Sequence, residues 1–360
     1  MDTKRLYIDF HVLQTVPPSC VNRDDTGSPK TAVYGGTLRA RVSSQAWKRA
    51  VRLMFRQELL SEEQLGERTK KIVPLVAAEI SKLAPEKDAT QLAIKALDLA
   101  GLGKVKADTG TDALFFMSHD QAKALAELIV AENDDKKAYK AALKEQPSVD
   151  MVLFGRMVAN DPSLNYDAAA QVAHSISTHA VQNEYDYFTA VDDLAPEDNV
   201  GAGHLGTVEY NSSTLYRYAT VNALELAAHA GKKQAPGIIR AFAEAFIRSM
   251  PTGKQNTFAN RTLPDLVYIT IRQDQPVNLC GAFEKAIQPS PEGFVEPSRR
   301  CLMEYAQRIY QTYTDAPAKA FAIGTGLDAL DALATSMPMK EALDALEYAA
   351  QKYLNGNEVE

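Results

Sequence analysis

Residues 5–13 read RLYIDFHVL. Leu6, Ile8, Phe10 and Val12 fall on one side of an extended chain, with Tyr7, Asp9 and His11 on the other. That two-residue period is the mark of a half-buried strand, and the strand needs partners. Downstream, SSQAWKRAVRLMFRQELL (43–60) places Trp47, Val51, Met54, Phe55 and Leu59 near one face, with Ser43 or Ser44 as an N-cap, so a helix is expected. VDMVLFGRMVA (149–159), apolar and partly β-branched, is expected to be a strand, and YDAAAQVAHSISTHAV (166–181) a helix. TLYRYATVNAL (214–224) reads as a strand, APGIIRAFAEAFIRSM (235–250) as a helix with Pro236 near its start, and DLVYITIRQ (265–273) as a strand. The C-terminal third is helical with Pro/Gly breaks, and its last helix is expected over 338–353.

Two insertions interrupt this series. Residues 61–146 are rich in Ala, Glu, Lys, Leu and Gln, which predicts helices over about 62–83, 88–100 and 118–144. Residues 182–222 have two aromatic, extended halves separated by the Gly-rich acidic tip APEDNVGAG, the pattern of a long hairpin. Without the insertions the order is strand, helix, strand, strand, helix, strand. This is the order of the ferredoxin-like fold, shared by RNA-recognition domains, so the fold class is α+β. No aromatic signature of the usual RNA-recognition sheet is present.

The composition is that of an ordinary folded chain of 360 residues, 46% apolar and 24% charged. Cys20, Cys280 and Cys301 are scattered, which argues against a disulfide framework or thiolate zinc site and fits a reducing compartment. No run approaches the roughly 18 apolar residues that span a membrane, so a cytoplasmic protein without membrane contact is expected. The net charge of −7 is unevenly spread. Residues 22–56 hold eight Lys or Arg against Asp24 and Asp25, so the remainder carries −13. From Glu184 to Tyr216 there are seven acids and no Lys or Arg. A basic patch on an acidic body suits a polyanion held at one place and repelled elsewhere.

Lys48, Arg52 and Arg56 recur every four residues and form one stripe on the helix, with Arg49 beside them. Ser43, Ser44 and Gln45 open that helix with no acid in its first turn, an arrangement suited to phosphate. The preceding loop, NRDDTGSPKTAVYGG (22–36), mixes Asn22, Arg23 and Lys30 with Asp24 and Asp25. The two Asp raise metal-dependent nuclease chemistry, but no third acid or His stands at a telling spacing. No metal, cofactor or catalytic residue is therefore expected. His11, His174, His179 and His204 fit no zinc or triad motif, and core or capping roles suit them better.

The blocks LQTVPPSCVNRDDTGSPKTAVYGGTLRARVSSQAWKRAVR, GRM, HSISTHAVQNEYDYFTAVDDL, GAGHLGTVEY and YRYATVN together resemble the CasC family, the backbone subunit of the type I-E CRISPR surveillance complex, Cascade. The resemblance implies a right-hand shape. Residues 1–60, 147–183 and 217–360 would form an RRM-like palm, 61–146 the helical fingers and 184–216 a thumb hairpin. It implies guide RNA (crRNA), further copies of the chain and other Cascade subunits as partners, with target DNA brought near by the guide. Palm contacts to RNA would come from Asn22, Arg23, Lys30, Ser43, Ser44, Gln45, Lys48, Arg49, Arg52, Arg156 and Met157. Thumb contacts would come from Tyr187, Phe188, Thr189, Leu205 and Thr207. A non-catalytic scaffold is the leading expectation. A metal-dependent ribonuclease using Asp24 or Asp25, and a protein-only assembly factor, are the alternatives.

Overall fold

A computed structural model describes residues 5–103, 105–107, 110, 111, 113–158, 161–190, 193, 204–325, 327 and 333–356. The chain opens with β1 (Tyr7–Ser19), β2 (Thr31–Tyr34), β3 (Thr37–Val42) and α1 (Ser44–Met54). Next come β4 (Gly66–Thr69), α2 (Ile72–Leu83), α3 (Ala89–Leu99), β5 (Phe115–Ser118), α4 (His119–Val130), α5 (Lys136–Ala142) and α6 (Val149–Phe154). Then follow β6 (Ala170–Val172), β7 (Ser175–Ser177), β8 (Glu184–Ala190), β9 (His204–Asn222), α7 (Ala223–Ala230), α8 (Ala235–Arg248) and α9 (Gln255–Phe258). The chain closes with β10 (Leu266–Arg272), α10 (Val295–Thr312), β11 (Lys319–Gly324), β12 (Thr335–Ser336) and α11 (Met339–Leu354). This is a mixed α+β architecture around one large sheet. The acidic tip at 195–203 lies outside the described residues, and so does part of the turn leading to it.

The sheet runs β12–β11–β10–β1–β9–β7–β3–β2, with β6 and β8 also paired to β9. β1 is antiparallel to β10, with Phe10 opposite Ile269, and β7 is antiparallel to β9, with Ile176 opposite Tyr216. β1 is longer than RLYIDFHVL suggests and is buried on both faces, so Asp9 and His11 are as enclosed as Ile8 and Phe10. Their polar atoms find partners inside. Tyr218 Oη donates to Asp9 Oδ1 at 3.0 Å, the Val277 N–H to Asp9 Oδ2 at 2.8 Å, and His11 Nδ1 shares a hydrogen with Tyr216 Oη at 2.9 Å.

Two expected elements change type. VDMVLFGRMVA is not a strand: its first half is α6, which follows Ser148 and ends at Gly155, where φ is 78°. An apolar run this short has no periodicity to separate helix from strand. Residues 166–181 are not a helix: they form β6 and β7, because Ile176 lies between Arg41 of β3 and Tyr216 of β9. Sheet pairing overrides the helical preference of the alanines. β7 thus occupies the place beside β9 that residues 149–159 were expected to fill.

The chain divides into two compact units. The first comprises residues 1–51, 172–220 and 242–348 and holds the greater part of the sheet. In it, Trp47 of α1 packs among Val16, Ala40, Val42 and Leu215, and its indole N–H donates to Ser175 Oγ at 2.9 Å. The buried Arg217 guanidinium stacks 3.8 Å from the Trp47 ring. The second unit comprises residues 52–171, 221–241 and 349–360, and residues 61–146 fall wholly within it. Its core unites Ile72, Val76 and Ile80 of α2, Leu97 of α3, Leu125 and Ile129 of α4, and Tyr139 of α5. The helices come close to expectation, but the β4–β5 pair, with Gly66 opposite Ser118, was not foreseen.

Candidate nucleic-acid interface

The loop after β1 is shaped by its own polar groups. Asp24 Oδ1 accepts from the Thr26 N–H at 2.9 Å, the Thr26 hydroxyl at 2.7 Å and the Ser28 N–H at 3.0 Å. The Thr26 hydroxyl above all holds the Asp24 carboxyl below its ordinary range. Arg23 pairs with Pro29 across the loop as an isolated bridge, and the Lys30 N–H donates to the Asn22 carbonyl at 2.8 Å. Asp24 therefore organises the turn. Among the described residues, no cluster of three or more His, Cys, Asp or Glu is placed to hold a metal ion.

Asn22 joins this loop to α1. The Ser43 N–H donates to Asn22 Oδ1 at 2.9 Å, and Ser43 Oγ in turn accepts from the Gln45 N–H at 3.3 Å. The Ala46 and Trp47 N–H groups close on the Ser43 carbonyl. Ser43 is thus the cap, and the first turn of α1 contains no acid. Gln45 and Arg49 are exposed, and Ser44 and Lys48 are half-buried. Burial lowers the Lys48 ammonium pKa below its ordinary value. Among the described residues, Arg23, Lys30, Lys48 and Arg49 make no ion pair.

The rest of the basic stripe is engaged within the protein. Arg52 Nε donates to Asp150 Oδ2 at 2.9 Å, and its guanidinium lies 4.8 Å over the Phe116 ring. Asp150 is buried, and its other oxygen accepts from the Gly66 N–H at 3.0 Å. Arg56 pairs with Glu67 at 2.8 Å. The even spacing of Lys48, Arg52 and Arg56 therefore does not give an even binding stripe: Arg52 is shared between its pair with Asp150 and solvent, its side chain being 27% exposed.

Arg156, by contrast, is corrected from RNA contact to internal strut. It is 4% exposed, and its guanidinium donates to the carbonyls of Leu164, Phe116 and Leu143 and to Gln121 Oε1. The rings of Phe115 and Tyr166 flank it at 5.1 and 5.0 Å, and burial pulls its pKa down to about 10. A guanidinium so enclosed has no face left for RNA. Its neighbour Met157 is 85% exposed, the most exposed of the large apolar side chains among the described residues.

The hairpin β8–β9 sorts its residues by face. Tyr185 pairs with Glu209, Tyr187 with Thr207 and Thr189 with Leu205. Directly opposed residues share a face and alternate positions switch faces. Tyr187, Thr189, Leu205 and Thr207 therefore stand together, with Tyr187 64% and Leu205 57% exposed. Phe188 points to the other face, opposite Gly206. Glu209 ties the hairpin to the polar loop: the Ser28 hydroxyl above all, then the Asn183 amide, keep its carboxyl pKa below the usual range.

One charged group of the basic patch acquires a partner that the sequence does not indicate. Arg41 of β3 donates to the Thr31 carbonyl at 3.0 Å and lies 3.3 Å from His174 Nδ1. Burial, then Arg41 and Lys30, lower the His174 pKa. Arg41 was counted in the basic patch, but only the pairing of β3 with β7 brings His174 to it.

Fold and site together define a mixed α+β protein with a clasped, cation-bearing loop and helix and an exposed apolar hairpin face. A family model described as CT1975-like protein matches residues 8–349, and the chain belongs to that family. One similar chain comes from a solved structure described as "CRISPR RNA-guided surveillance complex, pre-nicking". It is 33% identical, with a TM-score of 0.76, and the match covers 96% of this chain and 100% of that one. A second, from a "CRISPR RNA-guided surveillance complex", is 30% identical with a TM-score of 0.64 and coverages of 96% and 99%. These matches agree with the resemblance to CasC-type backbone subunits. No curated protein sequence matches the chain.

Proposed function

We propose that the chain is a non-catalytic subunit of a CRISPR RNA-guided surveillance complex, binding the crRNA backbone and assembling head to tail with further copies along the guide in the cytoplasm. The observation that carries this reading is the Asn22–Ser43 clasp, which sets the cations of the loop beside the acid-free start of α1. The sheet order β10–β1–β9–β7, with α1 after β1 and α8 after β9, supports a ferredoxin-like palm. Residues 61–146 then serve as fingers and 184–216 as thumb. Arg23, Lys30, Lys48 and Arg49 neutralise phosphates, which carry no sequence information, so any guide is accepted. Ser44 and Gln45 add neutral donors. The hairpin face of Tyr187, Thr189, Leu205 and Thr207 offers apolar and hydroxyl contacts to bases. Met157, in the second unit, offers a separate exposed apolar side chain for the same purpose. Base edges remain free to pair with target DNA, and pairing does the reading. The three donors on Asp24 favour a structural loop over a nuclease site.

Purification of the chain with a guide RNA tests this reading. Guide of defined length should co-purify with several protein copies and stay uncut with Mg²⁺ and complementary RNA. Recovery free of RNA, or cleavage abolished by Asp24→Asn or Asp25→Asn, overturns it.

A further inference from the structure

Residues 251–264, PTGKQNTFANRTLP, carry Lys254 and Arg261 and no acid. Their short helix α9 is bracketed by two non-glycine residues in left-handed backbone, Lys254 at φ 49° and ψ 24° and Ala259 at φ 47° and ψ 40°. Side chains resist that conformation, and it persists where the surroundings impose it. Here the surroundings are the loop after β1. A Cβ on Gly253 would sit 2.1 Å from the Val21 carbonyl oxygen and 2.9 Å from that of Cys20, so the two segments lie against each other. At the other end of α9, the Phe258 ring lies 5.8 Å from the Tyr210 ring at the hairpin root.

Half-buried Lys254 follows Gly253 in this packing. Burial raises the Cys20 thiol pKa, and Arg23 and Lys254 both oppose that rise, so the two cations share the neighbourhood of Cys20. Lys254 makes no ion pair among the described residues. Gln255 is half-buried and Asn256 exposed on the same short stretch. Just beyond, Asn260 is buried with its Nδ2 unpartnered. A cation beside side-chain amides, in a segment without acids, suits phosphate and ribose oxygens of a single strand.

We propose that Lys254, Gln255 and Asn256 form a second wall of the RNA-backbone site, binding a phosphate and its sugar next to those held by Arg23 and Lys30. The proposal rests on the RNA-scaffold reading. Each cation that neutralises a phosphate on a single strand adds about 0.7 to the slope of log K against log salt. The strained backbone supplies a variant that separates binding from folding. Lys254→Gly removes the charge and relieves the left-handed residue.

The experiment measures binding of a synthetic single-stranded RNA of guide length to the full chain at several salt concentrations, with the RNA-free melting temperature alongside. Lys254→Gly should melt no lower than wild type, bind RNA several-fold more weakly and lose about 0.7 of slope. Gln255→Ala/Asn256→Ala should weaken binding with the slope retained. If Lys254→Gly binds like wild type while Lys48→Ala/Arg49→Ala is weakened, the second wall is refuted and the RNA reading stands. If wild type shows no salt-dependent RNA binding, both fall together.

Discussion

Asn22 and Ser43 stand twenty-one positions apart and are joined by one hydrogen bond of 2.9 Å from the Ser43 N–H to Asn22 Oδ1. Through it, the end of the polar loop fixes the start of α1. Asn22→Ala leaves a half-buried N–H without its acceptor and should cost about 1 kcal/mol. It should also weaken RNA binding more than that loss of stability explains, because the loop cations lose their register with Ser44, Gln45 and Lys48. Binding titrations at matched folded fraction check this.

Arg52 and Asp150 make a different kind of joint. Asp150→Ala strips the partner from a guanidinium tied to the interior, and Arg52→Ala leaves a buried carboxylate uncompensated. Arg52→Ala should destabilise the chain by about 3 kcal/mol, and Asp150→Ala, whose guanidinium partner is 27% exposed, by about 1 kcal/mol. In chemical denaturation both variants should show lowered midpoints, while the salt slope of RNA binding by folded Arg52→Ala stays at the wild-type value. A shallower slope would return Arg52 to the RNA site.

Gly206 leaves room for Phe188. A Cβ on Gly206 would lie 2.4 Å from Phe188 Cζ, so Gly206→Ala must push the ring aside. Cross-strand aromatic pairs contribute roughly 0.2–1 kcal/mol. A double-mutant cycle should therefore show coupling. Gly206→Ala has only to move the tip of an exposed ring, so it is mildly unfavourable in wild type and neutral or favourable in Phe188→Ala. Thermal unfolding of the four species measures it.

Asp9 supplies a pH test. Burial raises its carboxyl pKa from 3.8 to about 6. A folded pKa above the unfolded one gives stability that is full below about pH 4 and lost as pH rises through 6. Asp9→Asn removes this dependence, so its stability relative to wild type should climb by roughly 3 kcal/mol between pH 4 and pH 8. His11 runs in the opposite sense. Burial lowers its pKa to about 3, so its contribution is full above about pH 6.5 and fades on acidification. The comparison of Asp9→Asn with wild type cancels the His11 part. Urea unfolding at the two pH values reads the difference.

Much of this was legible in the chain. The two-residue period of 5–13, the capped amphipathic pattern of 43–60 and the run 265–273 gave β1, α1 and β10. One signal was overlooked: AVYGGTLRARV holds two glycines between extended runs, and they form the turn between β2 and β3, with φ of 58° and 75°. The other misses depended on distant partners. Residues 170–177 become strands only because β3 and β9 flank β7. The i, i+4 spacing placed Arg52 on a face but gave no hint that Asp150, nearly a hundred residues later, pairs with it. Arg156 looked like a cation in a short motif, and only the fold shows four carbonyl and amide oxygens around it. Positions set mainly by local pattern were easier to read: Ser43 caps α1, Lys48 and Arg49 lie on that helix, and the alternation of 184–190 and 204–210 sorts the hairpin faces.

The most direct test of the account is equilibrium binding of guide-length RNA to the full chain across salt, comparing wild type with Lys48→Ala/Arg49→Ala. Wild-type affinity should fall steeply with salt, and the double variant should bind more weakly with a slope shallower by about 1.4. Equal affinity and equal slope for the two proteins would contradict the account.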